Sequence, residues 1–251
     1  VNGHKATKSE SRTYELPSLE ELNEQRKEEQ KDQIKELEDV FKKMQQFNKD
    51  VQQLKKETNQ SKSNNWNKLN KVEKLQQEQL QLQQQIQESL EEMKQSTDQK
   101  NQLSPLDEQL LEKQALLEEL LKEVMDDELK ALLDQLEALL KEQDKEQSKD
   151  KLEQLEQSSE DMNKQLDRSL ELLKKMQVNE RIDDLEKELD QLAKEQEEIK
   201  EESQNLSKEE LLKKQKELNE KFEEVKKELK EVQELNKDLA RPLDLDILDA
   251  L

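Results

Sequence analysis

The chain has 251 residues, of which 43% are charged, 29% hydrophobic and 2% aromatic, with one Gly, no Cys and a formal net charge of −21. That leaves too little apolar volume for a compact globule of this length and too few turn residues for a sheet protein. With 64 acidic against 43 basic residues and no basic block, it lacks the Lys/Arg stripe that neutralises phosphates, which excludes nucleic acid as a partner.

Low hydrophobicity and high charge also suit a disordered polyelectrolyte, but disorder does not place leucines in phase over segment after segment. The clearest seam runs through Leu211, Leu218, Phe222, Val225, Leu229, Val232 and Leu239. So narrow a stripe is buried only against other helices. The expected fold is all-α, an elongated set of antiparallel helical hairpins or a coiled-coil bundle, with a short extended segment at the N-terminus.

In chain order, residues 1–17 read as that extended segment, either the last strand of an upstream β domain or a flexible tail. Residues 18–100 predict an antiparallel helical hairpin. Ser18 and Glu21 are spaced as a capping box at its start. Its first seam is Leu37, Val40, Met44, Phe47, Val51 and Leu54, and its second runs from Leu69 through Val72, Leu75, Leu82, Ile86 and Leu90 to Met93. The polar run Thr58 to Asn65 separates them, with Asn65 placed to cap a helix from Trp66. Trp66 itself is expected to plug the end of the hairpin.

Ser104-Pro105 opens a Leu-rich region of short helices at 104–142, interrupted by Asp126-Asp127. Doubled leucines there, such as Leu116-Leu117, Leu120-Leu121 and Leu132-Leu133, make a face wider than a two-helix seam. Leu106 to Leu140 is therefore expected to be the most buried part, as a multi-helix core or as a docking site. Gln143 to Asp150 reads as a charged linker. Coiled-coil helices follow at 151–240, breaking near Met176 to Glu180 and again at Ser207, where Ser207 and Glu210 form a second capping box. Residues 241–251, from Arg241-Pro242, read as an acidic connector.

Chemistry-bearing residues are few. His4 is the only His, so neither a zinc triad nor a His-based dyad can be assembled. Gly3 alone makes no phosphate loop. Asp244, Asp246 and Asp249 lack the turn Gly and closing Glu of a calcium loop, and carboxylates elsewhere read as solvated helix faces with Lys partners. No catalytic, cofactor-binding or metal-binding residue is assigned, and no cofactor or small-molecule substrate is expected. Polar residues in seam positions, Gln196, Ser203, Gln215 and Asn236, either fix helix register and partner number or mark exposed stretches.

Several stretches together resemble a family of large envelope proteins of Bacteroidota, a domain-of-unknown-function family. They are Val1-Asn2-Gly3 leading to Pro17-Ser18-Leu19-Glu20-Glu21-Leu22, Asn65-Trp66, Leu110 to Gln114, Asp126 to Leu129, and Leu166 to Leu173. The resemblance implies a membrane-anchored protein whose Glu/Lys/Gln-rich helical region lies on the extracytoplasmic, periplasmic side. It transfers no catalytic residue. With Val in first position, the chain reads as a fragment, and membrane contact would come through segments outside it.

The function expected from the sequence is a non-catalytic structural spacer or scaffold of a bacterial cell envelope, working through helix packing with itself or with partner helices. One alternative is a protein-binding module that docks a partner helix on Leu106 to Leu140. Another is a parallel homodimeric coiled coil, which requires one continuous seam.

Overall fold

The computed structural model describes residues 19–60, 64–103, 108–125, 127–203 and 206–244. The expected extended segment at 1–17, the Ser18 cap, Ser104-Pro105 and most of the 241–251 connector lie outside them. Among the described residues the protein is all-α, with six helices: α1 (Leu19–Asn59), α2 (Asn65–Leu103), α3 (Glu108–Val124), α4 (Glu128–Lys141), α5 (Lys145–Glu202) and α6 (Lys208–Lys237).

Side-chain pairs fix the topology. α1 and α2 run antiparallel, with Ser96 donating to Glu29, Lys74 to Asp50 and Lys71 to Glu57. α2 in turn meets α3 and α4 in the opposite direction, with Gln83 bonded to the Met125 carbonyl and Gln76 to Asp134. Gln165 on α5 reaches back to Glu123, and Ser158 to Glu128. Ion pairs of 2.6 Å from Lys55 to Glu156 and from Lys174 to Glu38 close the ring between α1 and α5. The result is an up-down-up-down bundle in which the broken helix α3–α4 serves as one rod.

The core follows from the seams. Leu37, Val40, Met44, Phe47, Val51 and Leu54 of α1 are all buried, as are Val72, Leu75, Leu82, Ile86, Leu90 and Met93 of α2. The expected hairpin of these two seams is therefore present, and the chain folds back at its polar stops. In α2 the seam includes Lys68, which is buried. Its neighbour Trp66 falls off the seam and is 66% exposed, so it does not plug the hairpin end. The helix also starts one residue earlier than expected, at Asn65, whose side chain donates to the Leu140 carbonyl rather than capping its own helix.

α4 ends in a tight C-cap: Asp144 N–H bonds Leu139 O, Gln143 N–H bonds Leu140 O, and Gln143 takes the left-handed φ of 60° that usually falls to Gly. Asp144 then caps α5 through Gln147 N–H. The segment expected as a charged linker up to Asp150 is thus mostly the first turn of a helix, and the break expected near Met176 to Glu180 is absent. α5 runs unbroken for 58 residues, about 87 Å at 1.5 Å per residue.

What looked like a break in α5 is a change of face. Its buried positions run Leu152, Leu155, Ser159, Met162, Leu166, Ser169, Leu173, Met176, a strict three-and-four alternation facing the bundle. A second set begins at Val178 and continues through Ile182, Leu185, Leu189 and Leu192, packed with Val225, Leu229, Val232 and Leu239 of α6 and the turn after it. The second set is displaced by two heptad positions, and two steps of about 100° turn it to nearly the opposite side of the helix. The two cores therefore sit on opposite faces of one rod. Lys221 to Glu195 at 2.8 Å and Arg181 to Glu231 at 3.5 Å flank the antiparallel α5–α6 pair. The expected Ser207–Glu210 capping box opens α6.

Candidate functional site

Three serines of α5, Ser148, Ser159 and Ser169, occupy core seats and are at most 1% exposed. Each turns its hydroxyl into its own helix: Ser159 onto Glu156 O and Ser169 onto Gln165 O at 2.9 Å, and Ser148 onto Asp144 O. A small side chain whose polar atom is satisfied internally lets neighbouring helices approach closely, and a hydroxyl so engaged is no nucleophile.

The polar seam residues divide, with Gln196 and Ser203 in exposed positions and Asn236 in a buried one. Gln196 and Gln215 exchange amide hydrogen bonds across the α5–α6 seam, at 3.2 and 3.0 Å, and Gln215 also reaches Asn219 at 3.1 Å. Asn236 is buried and grips Leu243 by both its N–H and its carbonyl, at 2.8 and 2.9 Å. That fixes how the chain leaves α6. Ser203 donates to Lys200 O in its own last turn.

Carboxylates gather in one groove between α1 and α2, a cavity of about 300 Å³ lined by Glu29, Asp32, Glu36 and Glu92. Partial burial and the facing Glu92 push the Glu36 carboxyl above the usual range, while a Ser89 hydroxyl opposes them. Elsewhere carboxyls are held low by lysine hydrogen bonds, Glu57 by Lys71, Glu137 by Lys141 and Glu195 by Lys221. Lys68 is pushed down by its burial and then by Lys145. Among the described residues no group of His, Asp or Glu is spaced to hold a metal ion. His4, Gly3, Asp246 and Asp249 lie outside the described residues, and Asp244 within them is exposed.

The Leu-rich region divides. Leu117, Leu121, Leu129, Leu132, Leu133, Leu136 and Leu140 are buried in the bundle, whereas Leu111 and Leu116 of α3 are 38% and 47% exposed. The expectation of one broad buried face from Leu106 to Leu140 holds for α4 and only in part for α3, which buries Leu117, Leu121 and Val124 but leaves Leu111 and Leu116 exposed. α2 packs against α4 and touches α3 far less. A cleft of about 710 Å³ lies there, between Thr97 of α2 and the side of α3 carrying Leu111, Ala115, Glu118 and Lys122.

Comparison with known protein families, with curated proteins and with solved structures finds no match. No helix among the described residues is long and apolar enough to cross a membrane.

Proposed function

We propose that the chain is a non-catalytic helical scaffold: a rigid rod with two arms, acting through helix packing. The observation that carries this reading is α5, a single 58-residue helix whose opposite faces support two separate cores. The two cores hold successive stretches of α5, and contacts from Gln30 to Glu180 and from Ala240 N–H to Glu171 straddle the junction between them, so a bend there would pull those contacts apart.

Geometry favours a scaffold over a spacer placed in line. Gln30 of α1 bonds Glu180, the Ala240 N–H bonds Glu171, and Lys27 pairs with Glu228. Gln30 of α1 and Ala240 after α6 thus meet α5 near its middle, with contact points nine residues apart on α5, or about 14 Å. The bundle extends one way from there and the α5–α6 pair the other. A setting on the extracytoplasmic side of a bacterial envelope, with coiled-coil packing in the α5–α6 arm, rests on the sequence resemblance and the heptad pattern.

Paired spin labels test the layout. Labels on the exposed Gln25 and Arg241 are expected within about 40 Å of each other, and labels on Glu142 and Lys208 about 80 to 90 Å apart, from the 1.5 Å rise along α5. An in-line spacer reverses the order of those two distances.

A further inference from the structure

We infer that the α2–α3 cleft is a docking groove for an amphipathic helix with basic flanks, supplied by another protein. The groove is an apolar strip of α3, Leu111 and Ala115, which is exposed beside Thr97 of α2 among the described residues. Behind it a cavity of about 40 Å³ reaches the end of the bundle core at Met93, Leu117 and Met176. α3 spans 17 residues, about 25 Å, the length over which a helix presents anchors at i, i+3/i+4 and i+7.

Two further observations select the occupant. Among the described residues the rim carries Glu118, Glu119 and Glu123 against one cation, Lys122, which Glu118 already holds at 3.2 Å. On a chain of net charge −21 such a rim repels a second copy and attracts Lys or Arg on a partner. The Gln114 side-chain oxygen, which lines both the groove and the cavity behind it, is buried with no hydrogen-bond partner. It is an acceptor awaiting a donor, and a Lys or Arg head supplies one.

The probe is a 15-residue helical peptide of Leu and Lys, titrated into the full chain by calorimetry beside its Leu/Glu counterpart. The Lys peptide is expected to bind one to one and the Glu peptide not to bind. Ala115→Glu fills the groove while adding negative charge, so seating of a helix predicts at least a tenfold loss of affinity, whereas diffuse attraction to an acidic protein predicts none. Leu80→Glu, at an exposed leucine elsewhere on α2, should leave binding unchanged. Circular dichroism confirms that both variants remain helical. Absence of binding, several peptides per chain, or undiminished affinity for Ala115→Glu overturns the proposal. So does concentration-dependent dimerisation that Ala115→Glu abolishes, which would make a second copy the occupant.

Discussion

Replacing Ser159 separates two accounts of the bundle core by the sign of the effect. The residue is fully buried in the α5 seam and its hydroxyl bonds Glu156 O at 2.9 Å. If the seam were simply short of apolar surface, Ser159→Leu would gain about 1.5 to 3 kcal/mol from burying a leucine. If the serine sets how closely the helices pack, the extra carbons have nowhere to go and the substitution costs about 1 to 3 kcal/mol through shifted backbones and poor rotamers. Ser159→Ala keeps the spacing. It loses one intrahelical bond, a net contribution of about 0.5 to 1.5 kcal/mol, and recovers about half a kcal/mol in helix propensity, leaving a change within about 1 kcal/mol. Urea unfolding of the three proteins, followed by circular dichroism, gives both numbers. A Ser159→Leu protein more stable than the parent refutes the close-packing argument.

Gln143→Gly should raise stability by about 0.5 to 1 kcal/mol, because the left-handed φ of 60° strains a residue with a Cβ while glycine adopts it freely; thermal denaturation checks it. Leu133→Ala, at a site with no exposure, should cost about 2 to 5 kcal/mol, whereas Leu212→Ala, 61% exposed, should change stability by less than about 0.5 kcal/mol. For Glu36 the folded-state pKa lies above the unfolded value, so the protonated form favours the fold, and the stability present at low pH is lost as pH rises through the carboxylate range. Glu36→Gln is therefore expected to melt higher than the parent at pH 7 and identically at pH 3, and an equal difference at both values would contradict the assignment.

The α1–α2 hairpin was legible because two unbroken seams flank a run of turn-forming polar residues, and the α3–α4 break because adjacent aspartates interrupt the leucines. α5 was misread as two helices. A two-position slip between Met176 and Val178 imitates a loop, yet Gln177-Val178-Asn179 contains no Gly or Pro, and a slip without a breaker is the mark of a helix that changes partners. Ser148, Ser159 and Ser169 escaped notice because serine reads as surface; their place in the three-and-four alternation was the available signal. Trp66 is expected at the hairpin end from its place at a helix start, but it is exposed, and Lys68, four residues before Val72, takes the buried seat instead. The cleft beside α3 was not legible, since it depends on how far α2 diverges and no local pattern encodes that.

The outer part of the α5–α6 arm has a consequence for length variation. In the bundle, a heptad added to one helix must be matched in its neighbours or the ring of contacts fails. In the arm beyond Leu192 two helices share one seam, bridged by the Gln196–Gln215 amide pair. Seven residues inserted in each helix on the same side of that pair would lengthen the arm by about 10 Å at 1.5 Å per residue and leave every bundle contact in place. Reach is thus the dimension in which relatives of this protein can diverge without redesigning its core.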